Sequence, residues 1–421
     1  MTSMATEALP SAEEAQAEID AWLADNWNPD ITVAEWWDLL ARAGYAAPTL
    51  PPHSWGKGWS RSLAGVVTAA IKEHGAIGPP AGLGTLLAAP TIAAHGSDDQ
   101  KKSMLLRILN GQDAWCQLFS EPGAGSDLAG LQCRAERDGD EWVVTGQKVW
   151  TSTAQLCNLG MLIARTDPDL PKHKGITYFA FDMTQPGVET RPLREMTGRA
   201  MFNEVFIDGA RVHGRDIIGG QGNGWSVANT TLAAERSGLG SGGSGAAGNA
   251  FPGPLAGALD KPVREFVGQV RTGGTGGGGL GSAQTYVRLA QELGRNGDPV
   301  IRQGLARLYT LTELGRWSAL RAKAQSGRSG GQANISKLMM SDILRLQREL
   351  GNQIIGADGM VMGGETKSGG IVQELTLFSP GPSIYGGTDQ IQKNILGERV
   401  LGLPKEPGPS KDTPFRELLH N

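Results

Sequence analysis

The feature that most limits the fold of this chain is a double change in hydrophobic period. From about Glu14 to Gly111 apolar residues recur at helical spacing. "ITVAEWWDLLARAG" places Trp36, Leu39 and Leu40 on one side and stops at glycine, and "SDDQKKSMLLRILNG" opens with a cap and an acidic first turn and stops at Gly111. From about Ala114 to Gly219 the texture becomes short alternating or β-branched runs: "EWVVTGQKVWTST", "LGMLIARTD", "GITYFAFDM", "VETRPL" and "NEVFIDGARV", separated by Gly, Pro and Asp. After "GGQGNGWS" helical spacing returns in "SVANTTLAAERSG", "DPVIRQGLARLYTLTELGRWSALRAKAQ", "NISKLMMSDILRLQRELGNQIIG" and "DQIQKNILGERVLG". A chain of 421 residues with this order implies several domains and a large buried interior. The expected fold is mixed α and β, mainly α. It has an N-terminal helical domain (1–113), a middle antiparallel β-barrel-like domain (114–222) and a C-terminal four-helix bundle (223–421).

A Gly-rich insertion, 238–281, interrupts the last domain, and its composition reads as a mobile connection with a possible short helix at "DKPVREFVGQV". Gly243, Gly245 and Gly248 match GxGxxG, but a helical run precedes them and Pro252 and Pro254 follow, so no dinucleotide fingerprint is read there. Gly327, Ser329 and Gly331 match GxSxG but join two helices, which excludes a nucleophile elbow. The six histidines show no ligand spacing, so no metal is expected. Cys116, Cys133 and Cys157 form no CxxC pair and are expected as reduced thiols. A net charge of -4, without a basic cluster, argues against nucleic acid. The acidic N-terminal stretch and the lack of a long apolar run lead us to expect a cytoplasmic protein without membrane insertion.

Three segments carry chemistry. In "QLFSEPGAGSD", Gly123, Ala124 and Gly125 permit a tight turn whose N–H groups can meet a phosphate or ring, flanked by the hydroxyls of Ser120 and Ser126. On composition alone a plain solvent turn is the better reading. In "GQKVWTSTAQ", Trp150 stands beside Thr151, Ser152 and Thr153, a grouping suited to covering a flat polar heterocycle as well as to ordinary packing. In "IYGGTDQIQKN", Gly386 and Gly387 allow close backbone approach, and Thr388 can cap a helix whose first turn offers free N–H groups.

Together with "FNEVFIDGARV", "GWSVANTTLAAER" and "GADGM", in this order, these segments resemble the acyl-CoA dehydrogenase flavoprotein family over nearly the whole chain. The resemblance implies FAD bound between subunits of a tetramer, either a homo-oligomer built as a dimer of dimers or a heterotetramer with a paralogue. It also implies an acyl-CoA substrate and an electron-transfer flavoprotein as acceptor. Gln117, Phe119 and Ser120 would lie along the flavin. Gly125 and Ser126 would sit by the FAD pyrophosphate and the thioester chain, with Ser126 also touching substrate. Trp150 would shield one flavin face, and Ser152 would hydrogen-bond near its reactive nitrogen. Gln353 and Gly356 would reach the adenosine half from a neighbouring subunit, and Gly387, Thr388 and Gln390 would contact the cofactor at the bundle end. Arg295 and Gln303 would take the place of a clasp that the Gly-rich insertion displaces.

The resemblance implies α,β-dehydrogenation, with a glutamate taking the α-proton. Many members carry that glutamate directly before Gly-Thr; this chain has Gly386 there. A minority of isovaleryl- and long-chain type carry it on a bundle helix before an arginine, matching Glu235 and Arg236 in "LAAERSG". On its own, a glutamate in "AER" reads as a solvated helix face. Paired with Gly386 it reads as the base. Gly386 would then lend its backbone N–H to the thioester carbonyl, and Arg236 would touch substrate and order the surrounding hydrogen bonds. The alternatives are a non-catalytic partner subunit of a heterotetramer and, on the same fold, a flavin monooxygenase.

Overall fold

The computed structural model describes residues 9–240, 250–268, 282–324, 331–405 and 407–418. Five helices build the N-terminal domain: α1 (Ala12–Asn26), α2 (Val33–Arg42), α3 (Arg61–Glu73), α4 (Ala89–His95) and α5 (Asp98–Leu109). Reciprocal capping boxes start three of them, Ser11 with Glu14, Thr32 with Glu35 and Ser97 with Gln100. Trp36 and Trp37 are fully buried, and each indole N–H finds a carbonyl, Ile77 O at 2.8 Å and Gly78 O at 3.0 Å. Gly111 closes the domain at φ +73°, where a Cβ would lie 2.1 Å from the Trp37 ring.

Seven strands form one curled sheet: β1 (Trp115–Leu118), β2 (Arg134–Asp138), β3 (Glu141–Ser152), β4 (Leu159–Arg165), β5 (Ile176–Asp182), β6 (Val188–Leu193) and β7 (Phe202–His213). The order is β1-β4-β2-β3-β7-β6, with β5 on β4. The pairings are antiparallel except at β4, which takes β1 in parallel and meets β2 through a single parallel pair. Side-chain alternation is the same in both orientations, so only the three-dimensional path reveals this.

The expected bundle helices are α6 (Gly224–Gly240), α8 (Pro299–Ala324), α9 (Gln332–Ile355) and α11 (Asp389–Ile395); α7 (Ala283–Glu292) and α10 (Ile371–Phe378) add to them. The helix α6 packs on α4, β5 and α9, so it lies where all three regions meet.

The expectation of a mobile connection over 238–281 is corrected for residues 250–268. Ala250, Ala258 and Val263 are buried in the core of α1–α3, with Leu259 and Phe266 against it. Val33 N–H donates to Lys261 O at 2.9 Å and Val263 N–H to Ile31 O at 2.9 Å. The expected helix at "DKPVREFVGQV" is a single 3-10 turn, Val263–Glu265, within its described part. Residues 241–249 and 269–281, including the GxGxxG glycines, lie outside the described residues, as do Gly327 and Ser329. All three cysteines are free and buried. Among the described residues no helix is long and apolar enough to cross a membrane.

Candidate functional site

The site is built from β1 outward. Beyond β1 the chain turns through "SEPGAGSD", closed by reciprocal backbone bonds between Glu121 and Ala124 at 3.0 and 3.1 Å. Gly125 and Ser126 stand exposed at its tip, and no atom would obstruct a Cβ at Gly125. Beneath the turn Lys148, fully buried, pairs with Glu121 at 2.8 Å and donates to Phe119 O at 3.1 Å. Glu121 also accepts from the N–H groups of Gln132 (2.7 Å) and Cys133 (3.0 Å), so its charge is well satisfied. Val149 N–H donates to Ser120 O at 2.9 Å, which joins the turn to β3.

A bulge then re-aims β3. Between the pairs Lys148–Val205 and Thr151–Asn203, two residues, Val149 and Trp150, face Glu204 alone. Trp150 takes φ +61° and leaves 61% of its surface exposed, with Phe202 edge-on at 5.9 Å. A bulky aromatic in left-handed backbone, turned to solvent, is a costly arrangement of the kind stored at ligand sites. Ser152 follows two residues on, half-buried.

Glu235 comes to β1 from α6: Gln117 Nε2 donates to Glu235 Oε2 in a long hydrogen bond of 3.4 Å. One helical turn earlier on the same face, Thr231 is fully buried, 2.9 Å from the Thr91 hydroxyl of α4 and 3.3 Å from the Tyr178 hydroxyl of β5. Beside it His95 Nε2 lies 2.7 Å from Thr230 Oγ1. Phe119 packs edge-on against Tyr178 at 6.0 Å. These hydroxyls set the rotation of α6 and thereby the direction of Glu235. Thr231→Val keeps the volume but strips Thr91 and Tyr178 of a partner, at a cost of about 1–3 kcal/mol. A lower thermal midpoint than wild type, with the secondary structure retained, is the expected result; an unchanged midpoint would deny the cluster its role.

At the bundle end Gly386 and Gly387 take φ +64° and +84°. Their carbonyls receive Gln392 Nε2, at 2.7 Å for Gly386, while Thr388 Oγ1 accepts Ile391 N–H at 3.2 Å as the cap of α11. Asp389, buried, accepts from Lys337 (3.0 Å), Ser341 (2.8 Å) and Arg345 (3.0 Å). Burial opposes its ionisation. Hydrogen bonds from Ser341 and Lys337, with the charges of Lys337 and Arg345, nevertheless hold its carboxyl below the usual carboxylate range. This buried cluster nails the glycine loop to α9. Gln390 is exposed on the first turn.

The structure thus brings Gln117, Phe119, Ser120, Trp150, Ser152 and Glu235 onto adjoining elements, with Gly125 and Ser126 at the tip of the same turn. The loop of Gly386, Gly387 and Thr388 is anchored near Asn334 on α9, whose amide donates to Gln392 at 2.6 Å. Gln353 lies 19 residues further along α9, roughly 28 Å away. There it shares an end of the bundle with Gly356 and with the start of α8, where Gly304 abuts Leu350. Gln303 is exposed on that turn, and Arg295, 3.6 Å from Asp298, lies just before α8. These four residues form a second group, apart from the first within one chain. The Arg236 side chain lies outside the described residues. Sequence reasoning missed Glu121, Lys148, Thr231 and Asp389. All four lie inside quoted segments, Glu121 directly after Ser120 and Asp389 directly after Thr388, and that placement was the available signal.

Three family models match: "Acyl-CoA dehydrogenase, N-terminal domain" over residues 10–112, "middle domain" over 116–209 and "C-terminal domain" over 270–401. The chain is 34% identical to acyl-CoA dehydrogenase IpdE1 of Mycobacterium tuberculosis (strain ATCC 25618 / H37Rv), covering 94% of this chain and 99% of that one. It is 38% identical to acyl-CoA dehydrogenase FadE34 of the same organism over 76% of this chain and 39% of that one. Among solved structures it is similar to the Tcur3481-Tcur3483 steroid ACAD, at TM-score 0.68 and 26% identity, covering 96% of this chain and 100% of that one. It shares its fold with the ChsE4-ChsE5 complex of Mycobacterium tuberculosis, at TM-score 0.67 and 24% identity, covering 96% of this chain and 100% of that one. Three domain models in order, and an identity that runs almost end to end, agree with the fold and with the segments gathered at β1, β3 and α6: the chain belongs to the acyl-CoA dehydrogenase family of flavoprotein oxidoreductases.

Proposed function

We propose that this chain performs the FAD-dependent α,β-dehydrogenation of an acyl-CoA thioester to the trans-2-enoyl-CoA, with Glu235 as the α-proton base. The observation that carries this reading is the Glu235 carboxylate at 3.4 Å from Gln117 on the middle-domain strand, while glycine stands at position 386. The residues fit FAD. Trp150 presents a strained, exposed indole beside Ser152 and Ser120, and the turn at Gly125 is open enough for a close approach. Gln117, Phe119, Ser120, Gly125, Ser126, Trp150 and Ser152 would hold it from the middle domain, and Gly387, Thr388 and Gln390 from the bundle. Bound FAD supplies the acceptor for the hydride that leaves the β-carbon.

The chain's own work is on the proton. An α-proton of a thioester is far too weakly acidic for a free carboxylate, so the carbonyl must be polarised as the proton leaves. Gly386, at positive φ on a loop clamped by Gln392, would donate its backbone N–H to that oxygen. Gln117 orients the Glu235 carboxylate, and the Thr231 cluster keeps α6 from turning it away. Arg236 follows Glu235 on this helix and would order the hydrogen bonds around it.

The second group, Gln353, Gly356, Arg295 and Gln303, would serve the site of another subunit. An apolar stripe on α8, with Tyr309, Leu314, Trp317 and Leu320 each more than half exposed, supports assembly, whether with a second copy or with a paralogue. Electrons would pass to an electron-transfer flavoprotein. The test is an anaerobic absorbance titration of the purified protein with short, branched, long and steroid-like acyl-CoAs. The last are included because one similar structure is described as a steroid ACAD. Bleaching of the flavin with a long-wavelength band is expected for one class. A colourless protein, or a flavin indifferent to every thioester, would overturn the reading and favour the non-catalytic partner subunit.

A further inference from the structure

Residues 407–418 leave the helical bundle and return to the middle domain at the loop between β4 and β5. Phe415 N–H donates to Leu170 O at 3.0 Å and Arg416 N–H to Pro168 O at 3.1 Å, while Pro414 forms a bridge with Pro171 and Arg416 pairs with Asp169. Phe415 is 7% exposed, and its ring lies 3.6 Å from Arg165 Cζ. Arg165 itself is 4% exposed. Among the described residues its guanidinium donates only to carbonyls, Lys172 O and Ala129 O at 2.6 Å and Leu131 O at 3.3 Å, and its Nε has no partner. Among the described residues it forms no ion pair. Burial pushes its pKa down to about 10, and the charges of Glu121 and Asp127, neither in an ion pair with it, offset this only in part. The face of the Phe415 ring is what covers it.

The loop that this segment grips touches both sides of the site. Lys172 pairs with Asp127 at 2.7 Å, next to Ser126, and His173 packs edge-on at 4.8 Å against Trp225 in the first turn of α6. A contact at Phe415 is therefore relayed through Arg165 and Lys172 to the Ser126 turn, and through His173 to the helix that carries Glu235. We propose that residues 414–416 are a strap that fixes the loop 167–175 as a wall for the thioester-bearing arm of the substrate, with Phe415 and Arg165 as positioning residues. The proposal rests on the acyl-CoA reading of the Ser126 turn. It assigns a substrate-ordering role to a segment that follows the bundle and lies outside the span of all three family models.

The test compares wild type with Phe415→Ala, the milder Arg416→Gln and the conservative Phe415→Tyr. The expected result for Phe415→Ala is full flavin content, a kcat within about twofold of wild type and a KM for acyl-CoA raised about tenfold, the signature of lost uniform binding. Arg416→Gln should shift KM in the same direction by a smaller factor, and it carries the test if Phe415→Ala fails to fold. Phe415→Tyr, which keeps the ring over Arg165, should return KM to within about twofold of wild type. An unchanged KM in Phe415→Ala and Arg416→Gln, or a fall in kcat at constant KM, overturns the strap. If no acyl-CoA reduces the wild-type flavin, the dehydrogenase reading has failed separately. Hydrogen exchange over 126–131 and 167–175 then decides the strap: faster exchange in Phe415→Ala supports it, and unaltered exchange overturns it.

Discussion

Glu235→Gln is expected to bind FAD with a normal spectrum and to lose flavin reduction by acyl-CoA by about a hundred- to ten-thousandfold, the range a positioned general base contributes. The substitution is close to isosteric. The glutamine carbonyl oxygen can still accept from Gln117, and the packing of α6 is held one turn away by Thr231, Thr91 and Tyr178. Folding and cofactor retention should therefore survive while basicity is removed. Anaerobic stopped-flow absorbance at saturating acyl-CoA separates the two: an unchanged spectrum with a collapsed reduction rate is the expected pair. Reduction at the wild-type rate would sink the assignment of Glu235. Binding should be affected far less than rate, because the carboxylate is needed at the moment of proton removal.

The domain order was legible because the period of apolar residues changes twice, and helix starts were legible because caps such as Ser97 with Gln100 are local. What could not be read depends on partners distant in sequence. Residues 250–268 have the composition of a linker, yet they are held by backbone bonds to residues 29–34 and by small apolar side chains that no periodicity advertises. Lys148 sits in a strand where a lysine reads as solvent-facing, and only the path of the chain brings Glu121 against it. The parallel pairing of β1 with β4 leaves no trace in alternation. Trp150 and Ser152 were singled out for their neighbours in sequence, while the bulge that turns the indole outward exists only through the pairing with β7. Conversely, Gln353 and Gln390 belong to one quoted set of ligand residues but occupy distant parts of the bundle, as they would if one chain held only part of a site shared between subunits.

The largest stability effect is expected at Lys148. Lys148→Met removes the cation from a fully buried site and leaves Glu121, in the turn above it, with two backbone donors, Gln132 and Cys133. Breaking a buried pair from one side costs about 3–5 kcal/mol, and for a domain of this size a fall in thermal midpoint on the order of 10 °C follows. The same change frees Phe119 O, so flavin retention should weaken along with the fold. Lys148→Met combined with Glu121→Gln should recover part of the loss. The uncompensated charge is then gone, while the amide oxygen remains to accept from one of the Gln132 and Cys133 N–H groups. Calorimetry on the single and double variants reads the coupling directly. If Lys148→Met melts with wild type, or if the double variant is no better than the single, the pair is not what holds the turn. The ordering of the flavin segment would then have to come from the backbone bond between Val149 and Ser120 and from the packing of Phe119 on Tyr178.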